Sequence, residues 1–154
     1  VPGFENNFII CMSPYLGARG GPFIEGEYVL KPSEAYNGIK FPDVLFVSYV
    51  EVMGGGNSQG FDMPYRMLIP KGINGLLVAG RGASFIRRGH DPAIRARCNM
   101  MMLGLASGIV AACAVEEGVD VRNIDIKKMQ KKLIGEGFYL GDKDRLSELG
   151  LTST

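Results

Sequence analysis

The chain has 154 residues, 46% hydrophobic and 21% charged, which fits one globular domain or a piece of a larger one and argues against a disordered polypeptide. Seventeen Lys and Arg against sixteen Asp and Glu leave a net charge of +1, so no overall field draws the chain to nucleic acid or to an anionic membrane. Glycine stands out at 22 residues, about twice the usual share of roughly 7%, as expected where a backbone must approach a ligand closely.

Phe4, Phe8, Ile9 and Met12 recur at helical spacing and predict a helix over 4–13, ended by Pro14 and Gly17. Phe23, Ile24, Tyr28, Val29 and Leu30 predict a strand at 23–30, and Ser33 is placed to cap a short helix reaching Tyr36. The β-branched and aromatic run from Val44 to Val52 reads as a strand, and the glycines between Gly54 and Gly60 as a loop. Arg66 to Ile69 reads as a short strand stopped by Pro70. Leu76-Leu77-Val78-Ala79 is a continuous apolar run, the pattern of a strand covered on both faces.

The longest element is predicted between Cys98 and Glu117, with Gly118 as its stop. It is apolar on nearly every face, which suits a protein interior or lipid. A span needs about 20 apolar residues. This run is shorter and is interrupted by Asn99, Gly104, Ser107 and Gly108, so a buried core helix and no membrane partner are expected. Gly104, Gly108 and Ala112 fall on one smooth stripe. Residues 124–134 form an amphipathic helix with Ile126, Met129 and Leu133 inward and four lysines outward. The polar tail, 141–154, holds one further helical turn near Asp144 to Leu149. The fold class is α/β, a mixture of helices and strands.

The chemistry concentrates between Leu76 and Gly118. The apolar run ends at Gly80-Arg81-Gly82, and a loop follows with Ser84, Arg87, Arg88, the single His90, Arg95 and Arg97 before the long helix begins. A helix start offers unpaired N–H groups and partial positive charge. An anionic ligand is the expectation, and His90 is a candidate proton carrier. Phe85 stands where a G-x-G-x-x-G fingerprint needs its third glycine, and no H-E-x-x-H or G-x-S-x-G motif occurs. Cys11, Cys98 and Cys113 have neither metal-ligand spacing nor a disulfide framework, so no metal and a reducing, cytoplasmic location are expected. No basic and apolar leader opens the sequence, which starts at Val1 and is expected to be either processed or cut from a longer polypeptide.

Four blocks in order carry a resemblance. Leu16-Gly17-Ala18-Arg19 with Ile24-Glu25-Gly26-Glu27-Tyr28-Val29-Leu30 resembles "LGVRETRRIVGEYVLT", and Asp62 to Gly72 resembles "(Y/F)-(D/E)-I-P-Y-R-x-L-(V/I)-P-K-G". Leu76 to Arg81 resembles "NLLVAGR", and Arg95 with Met101 to Ala112 resembles "R…CMAMGQAAG.AAA". These are blocks of FAD-dependent oxidoreductases, flavoproteins of a fumarate-reductase or thiazole-synthase-like arrangement. Leu105 replaces the glutamine of that pattern, Met100 its cysteine, and Arg19-Gly20-Gly21-Pro22 its R-E-T-R.

The resemblance implies the C-terminal portion of a flavoenzyme that moves hydride between an anionic substrate and FAD. Residues 1–70 would belong to a β-rich substrate-side subdomain, 71–140 to the C-terminal part of the FAD-binding domain, and 141–154 to a polar tail. The N-terminal part of the same polypeptide would supply the glycine fingerprint, so FAD would bind weakly or not at all to this portion alone. The cofactor side would comprise Gly80, Arg81, Gly82, Ser84, Arg95, Asn99, Met100, Met101 and Gly104. Arg95, His90 and Arg66 are the catalytic candidates. Apolar surface meant for the missing part would promote self-association. A non-catalytic module holding an anion or a protein on the arginine-rich loop, 81–97, is the alternative.

Overall fold

The computed structural model describes residues 2–3, 5–8, 10–12, 14–15, 21–49, 60–86 and 94–152. Among them the elements run α1 (Pro32–Tyr36), β1 (Val44–Ser48), β2 (Phe61–Pro64), α2 (Arg97–Glu117), α3 (Ile126–Gly135) and α4 (Lys143–Glu148). Short 3-10 turns occupy Tyr65–Leu68, Gly80–Gly82 and Val121–Asn123. The fold is a mixture of helices and a small antiparallel sheet.

Strands β1 and β2 pair antiparallel, Val44 opposite Pro64 and Ser48 opposite Phe61, with a register shift between Val44 and Phe46. Every β1 residue is buried, so the strand reads as a continuous apolar run instead of an alternating one. Helix α3 supports it: Gln130 Nε2 donates to the carbonyls of Pro42 and Val44 at 2.9 and 3.2 Å. The Val47 N–H is satisfied by the Tyr139 carbonyl at 2.9 Å. One apolar cluster extends from Leu30 through Leu103, Val110 and Leu133 to Leu151.

The tail is tied into this core by charge. Asp62, on β2, is buried and accepts the Phe41 N–H at 2.9 Å. Arg145 of α4 reaches it at 3.3 Å and also donates to the Phe41 carbonyl at 2.9 Å. Lys40 lies 3.3 Å from the other carboxylate oxygen.

Several local expectations need correction. The described residues of 4–13 are turns and irregular chain, with Phe8, Ile10 and Met12 exposed. A short helix without a packed face is marginal in water. No strand forms at 23–30, because the segment changes partner as it goes. Ile24 and Leu30 bond to Gly82 and Ser84, whereas Glu27 and Tyr28 bond to Ile69 and Arg66. Only the isolated bridges Gly26–Pro70 and Leu30–Phe85 result.

Pro32 at the first helical position moves the α1 cap from Ser33 to Lys31, whose N–H donates to the Glu34 carboxylate at 2.9 Å. Arg66 to Ile69 is not a strand either. A strand would send Met67 and Leu68 to opposite faces, whereas the 3-10 turn buries both along with Tyr65. Leu76 to Ala79 forms no strand: Leu76 is exposed, and the backbone bonds once to an earlier segment, from Val78 N to Leu68 O. Of 44–52, strand geometry covers Val44–Ser48; residues 50–52, and the loop 54–60 except Gly60, lie outside the described residues.

Helix α2 forms over the predicted stretch and stops at Gly118 in the left-handed region, φ 66°. It is not enclosed, however. Leu103, Ala106 and Val110 are buried, while Met101, Leu105 and Val115 are exposed. By length and composition it could cross a membrane, with 33% of its apolar window buried.

Candidate functional site

The Gly80–Gly82 turn packs against α2. Gly80 has φ +69° and open space where a Cβ would stand, and Arg81 is exposed. This part of the anticipated site is therefore bare backbone with one cation beside it. The next residues turn inward. Ser84 is fully buried, its N–H donates to Met67 O at 2.9 Å, and its carbonyl accepts from Leu30 N at 3.1 Å. Its hydroxyl Oγ is buried without a partner among the described residues. Such a group costs stability unless a ligand or water completes it.

Ile94 is fully buried and anchors a turn carrying the half-buried Arg95. Asn99 is buried and donates from Nδ2 to Ile94 O at 3.4 Å. This bond fastens the Arg95 turn to the first turn of α2. The α2 N-cap, Ala96, supplies no side-chain cap. Met100 N–H already donates to Ala96 O at 3.0 Å. The amides left without an intrahelical acceptor are those at the start, Arg97 and Cys98 among them.

A cleft of about 410 Å³ opens beside this helix start, walled by Phe46, Tyr49, Cys98, Asn99, Met102 and Tyr139. It meets a second hollow of about 400 Å³ that shares Tyr49 and Tyr139 and reaches Lys40 and Arg145. The two tyrosine rings lie 6.0 Å apart. Its hydrogen bond to Tyr49 is the chief influence raising the Tyr139 phenol. Neither tyrosine is legible in the sequence, since Tyr49 follows a strand and Tyr139 follows a helix 90 residues later. Their only signal is a pair of aromatic residues beside buried β-formers.

The predicted residues therefore divide. Gly80, Arg81 and Gly82 belong to the turn packed on α2, and Arg95, Asn99 and Met100 to that helix's beginning. Met101 and Gly104 are on its exposed side. Arg66 is held elsewhere, paired through Nε with Asp43 at 3.0 Å, with its guanidinium 5.1 Å from the Tyr28 ring centre. His90, Arg87 and Arg88 lie outside the described residues. No cluster of His, Cys, Asp or Glu suited to a metal occurs among the described residues.

A model of the FAD dependent oxidoreductase family matches residues 1–133. The chain belongs to that family. Comparison with curated proteins and with solved structures finds no match. The residues present suit one edge of an FAD site. The open space at Gly80 and the amides at the start of α2, where Ala96 supplies no side-chain cap, are of the kind that pair with phosphate or ring oxygens.

Proposed function

We propose that this chain builds the flavin-ring wall of an FAD dependent oxidoreductase that transfers hydride between a small anionic substrate and FAD. The carrying observation is the packing of the Gly80–Gly82 turn on helix α2, whose N-cap Ala96 supplies no side-chain cap. FAD, when bound, supplies the hydride-accepting chemistry. The chain's own residues bind and orient. The partial positive charge at the start of α2 favours negative charge on whatever lies against it. Arg95 supplies a cation for an anionic substrate, and Asn99 fixes the turn that aims it. Tyr49, Met102 and Tyr139 exclude water along the cleft wall.

The glycine fingerprint absent from this sequence would come from another segment of the same polypeptide. On this reading, the 154-residue chain alone binds FAD weakly or not at all and does not turn over. The test is the visible spectrum of the natural polypeptide that contains this segment, purified intact. An oxidised-flavin spectrum is expected, bleached by substrate. A colourless polypeptide that ignores added FAD would overturn the proposal, as would tight stoichiometric FAD binding by the chain alone for its two-segment part.

A further inference from the structure

A cavity of about 560 Å³ lies apart from the cleft at Cys98 and shares no lining residue with it. Its volume is within the range of small-molecule sites. The floor is apolar: Ile69, Ile124 and Leu149 line it, and all three are buried. Above the floor, charges mostly cancel. Asp43 is occupied by Arg66, Glu148 by Arg145 Nη1 at 3.1 Å, and Arg122 by Glu27.

Lys127 breaks this balance. It lines the cavity and has no ion-pair partner among the described residues. Lys127 helps lower Asp125, the cap of α3, through a backbone hydrogen bond and charge, but the two make no ion pair. Gly150 makes room for the ammonium, because a Cβ there would stand 2.9 Å from Lys127 Nζ. Arg66 spends Nε and Nη2 on Asp43, leaving Nη1 as a further donor. An apolar floor beside an ammonium that makes no ion pair among the described residues matches a ligand with an apolar tail and one negative head.

We infer that this cavity binds a small aliphatic monocarboxylate, its tail on Ile69, Ile124 and Leu149 and its carboxylate on Lys127. The inference is independent of the flavin site and holds whether or not that reading survives. The probe is hexanoate, titrated into the chain and followed by calorimetry and by amide NMR shifts, with neutral hexanamide as the control. Saturable one-site binding in about the millimolar range is expected for so few ligand atoms. Hexanamide should bind about tenfold more weakly, as should hexanoate to Lys127→Gln, because a hydrogen bond to a charged group is lost. Ile124→Trp, which fills the floor, should abolish binding. Equal affinity for hexanamide, no saturable binding to the unaltered chain, or full affinity in either variant would overturn the inference. Lys127 is exposed, so its substitution reports on the site even if Ile124→Trp fails to fold.

Discussion

Arg66 grips Asp43 with two nitrogens, Nε at 3.0 Å from Oδ2 and Nη2 at 3.2 Å from Oδ1, while its own backbone N–H donates to Oδ2 at 3.0 Å. Asp43 is buried, and the hydrogen bond to it raises the Arg66 guanidinium above its ordinary value. The pair thus fastens the turn after β2 to the residue before β1. Arg66→Ala should destabilise the chain by about 1–3 kcal/mol, because it strands a buried acceptor. Arg66→Lys keeps the charge but not the fork and should recover only part of the loss. Urea unfolding measures both. Unchanged midpoints would mean that Arg66 is free for another task.

Gly26 and Ser84 make a second tight contact. A Cβ at Gly26 would stand 2.6 Å from Ser84 Cβ, so Gly26→Ala should cost about 1–3 kcal/mol as overpacking. Adding Ser84→Gly should relieve part of it, giving a combined loss smaller than the sum. Ser84→Ala acts differently because it removes an unpaired buried hydroxyl. The chain alone should then unfold no earlier, whereas, on the proposed function, the natural polypeptide should hold FAD less tightly. Denaturant midpoints and FAD dissociation constants separate the two effects.

Tyr28 supplies an alkaline prediction. Burial, then its hydrogen bond to Glu34 at 2.6 Å, pushes the phenol up to about 12. The neutral phenol is the form the fold favours. Its contribution is therefore complete below the ordinary tyrosine value of about 10 and is lost as pH rises toward 12. Tyrosinate absorbance should show a late-titrating group that disappears in Tyr28→Phe. Stability of the unaltered chain should fall more steeply over that window than stability of the variant. A Tyr28 that ionises with the exposed tyrosines would contradict the contact with Glu34.

These contacts indicate what could be read from the residue order. The helices α2 and α3 were legible because each combines a long pattern with a stop or a cap: Gly118 for one, and Asp125, whose carboxylate accepts the Lys128 N–H at 3.0 Å, for the other. The glycine turn and its neighbour Ser84 were legible through the block around Leu76 to Arg81. The segment 23–30 was not, because its composition favours extended chain while its bonds alternate between two partners far apart in sequence. The turn at Tyr65–Leu68 failed for the opposite reason: a short apolar run fits either a strand or a tight helix until its neighbours decide. Tyr139 was illegible as a candidate because its companion, Tyr49, lies just past β1, far away in sequence.

The last prediction concerns the two sides of α2. Leu103 is fully buried and Leu105, two residues on, is 55% exposed. Leu103→Ala should therefore cost about 2–5 kcal/mol through the lost contacts and the cavity left behind. Leu105→Ala should change stability by about 0.5 kcal/mol or less. The exposed side carries Met101, Leu105 and Val115, with Gly104 and Gly108 between them. Apolar surface of this kind drives association, so the unaltered chain should sediment as more than a monomer as its concentration rises. Leu105→Lys should reduce that tendency without changing the unfolding midpoint, since a charge there enters water and displaces no core contact. If the unaltered chain remains monomeric throughout, this side of α2 is not an association surface. If Leu105→Lys unfolds the chain, Leu105 is packed in solution.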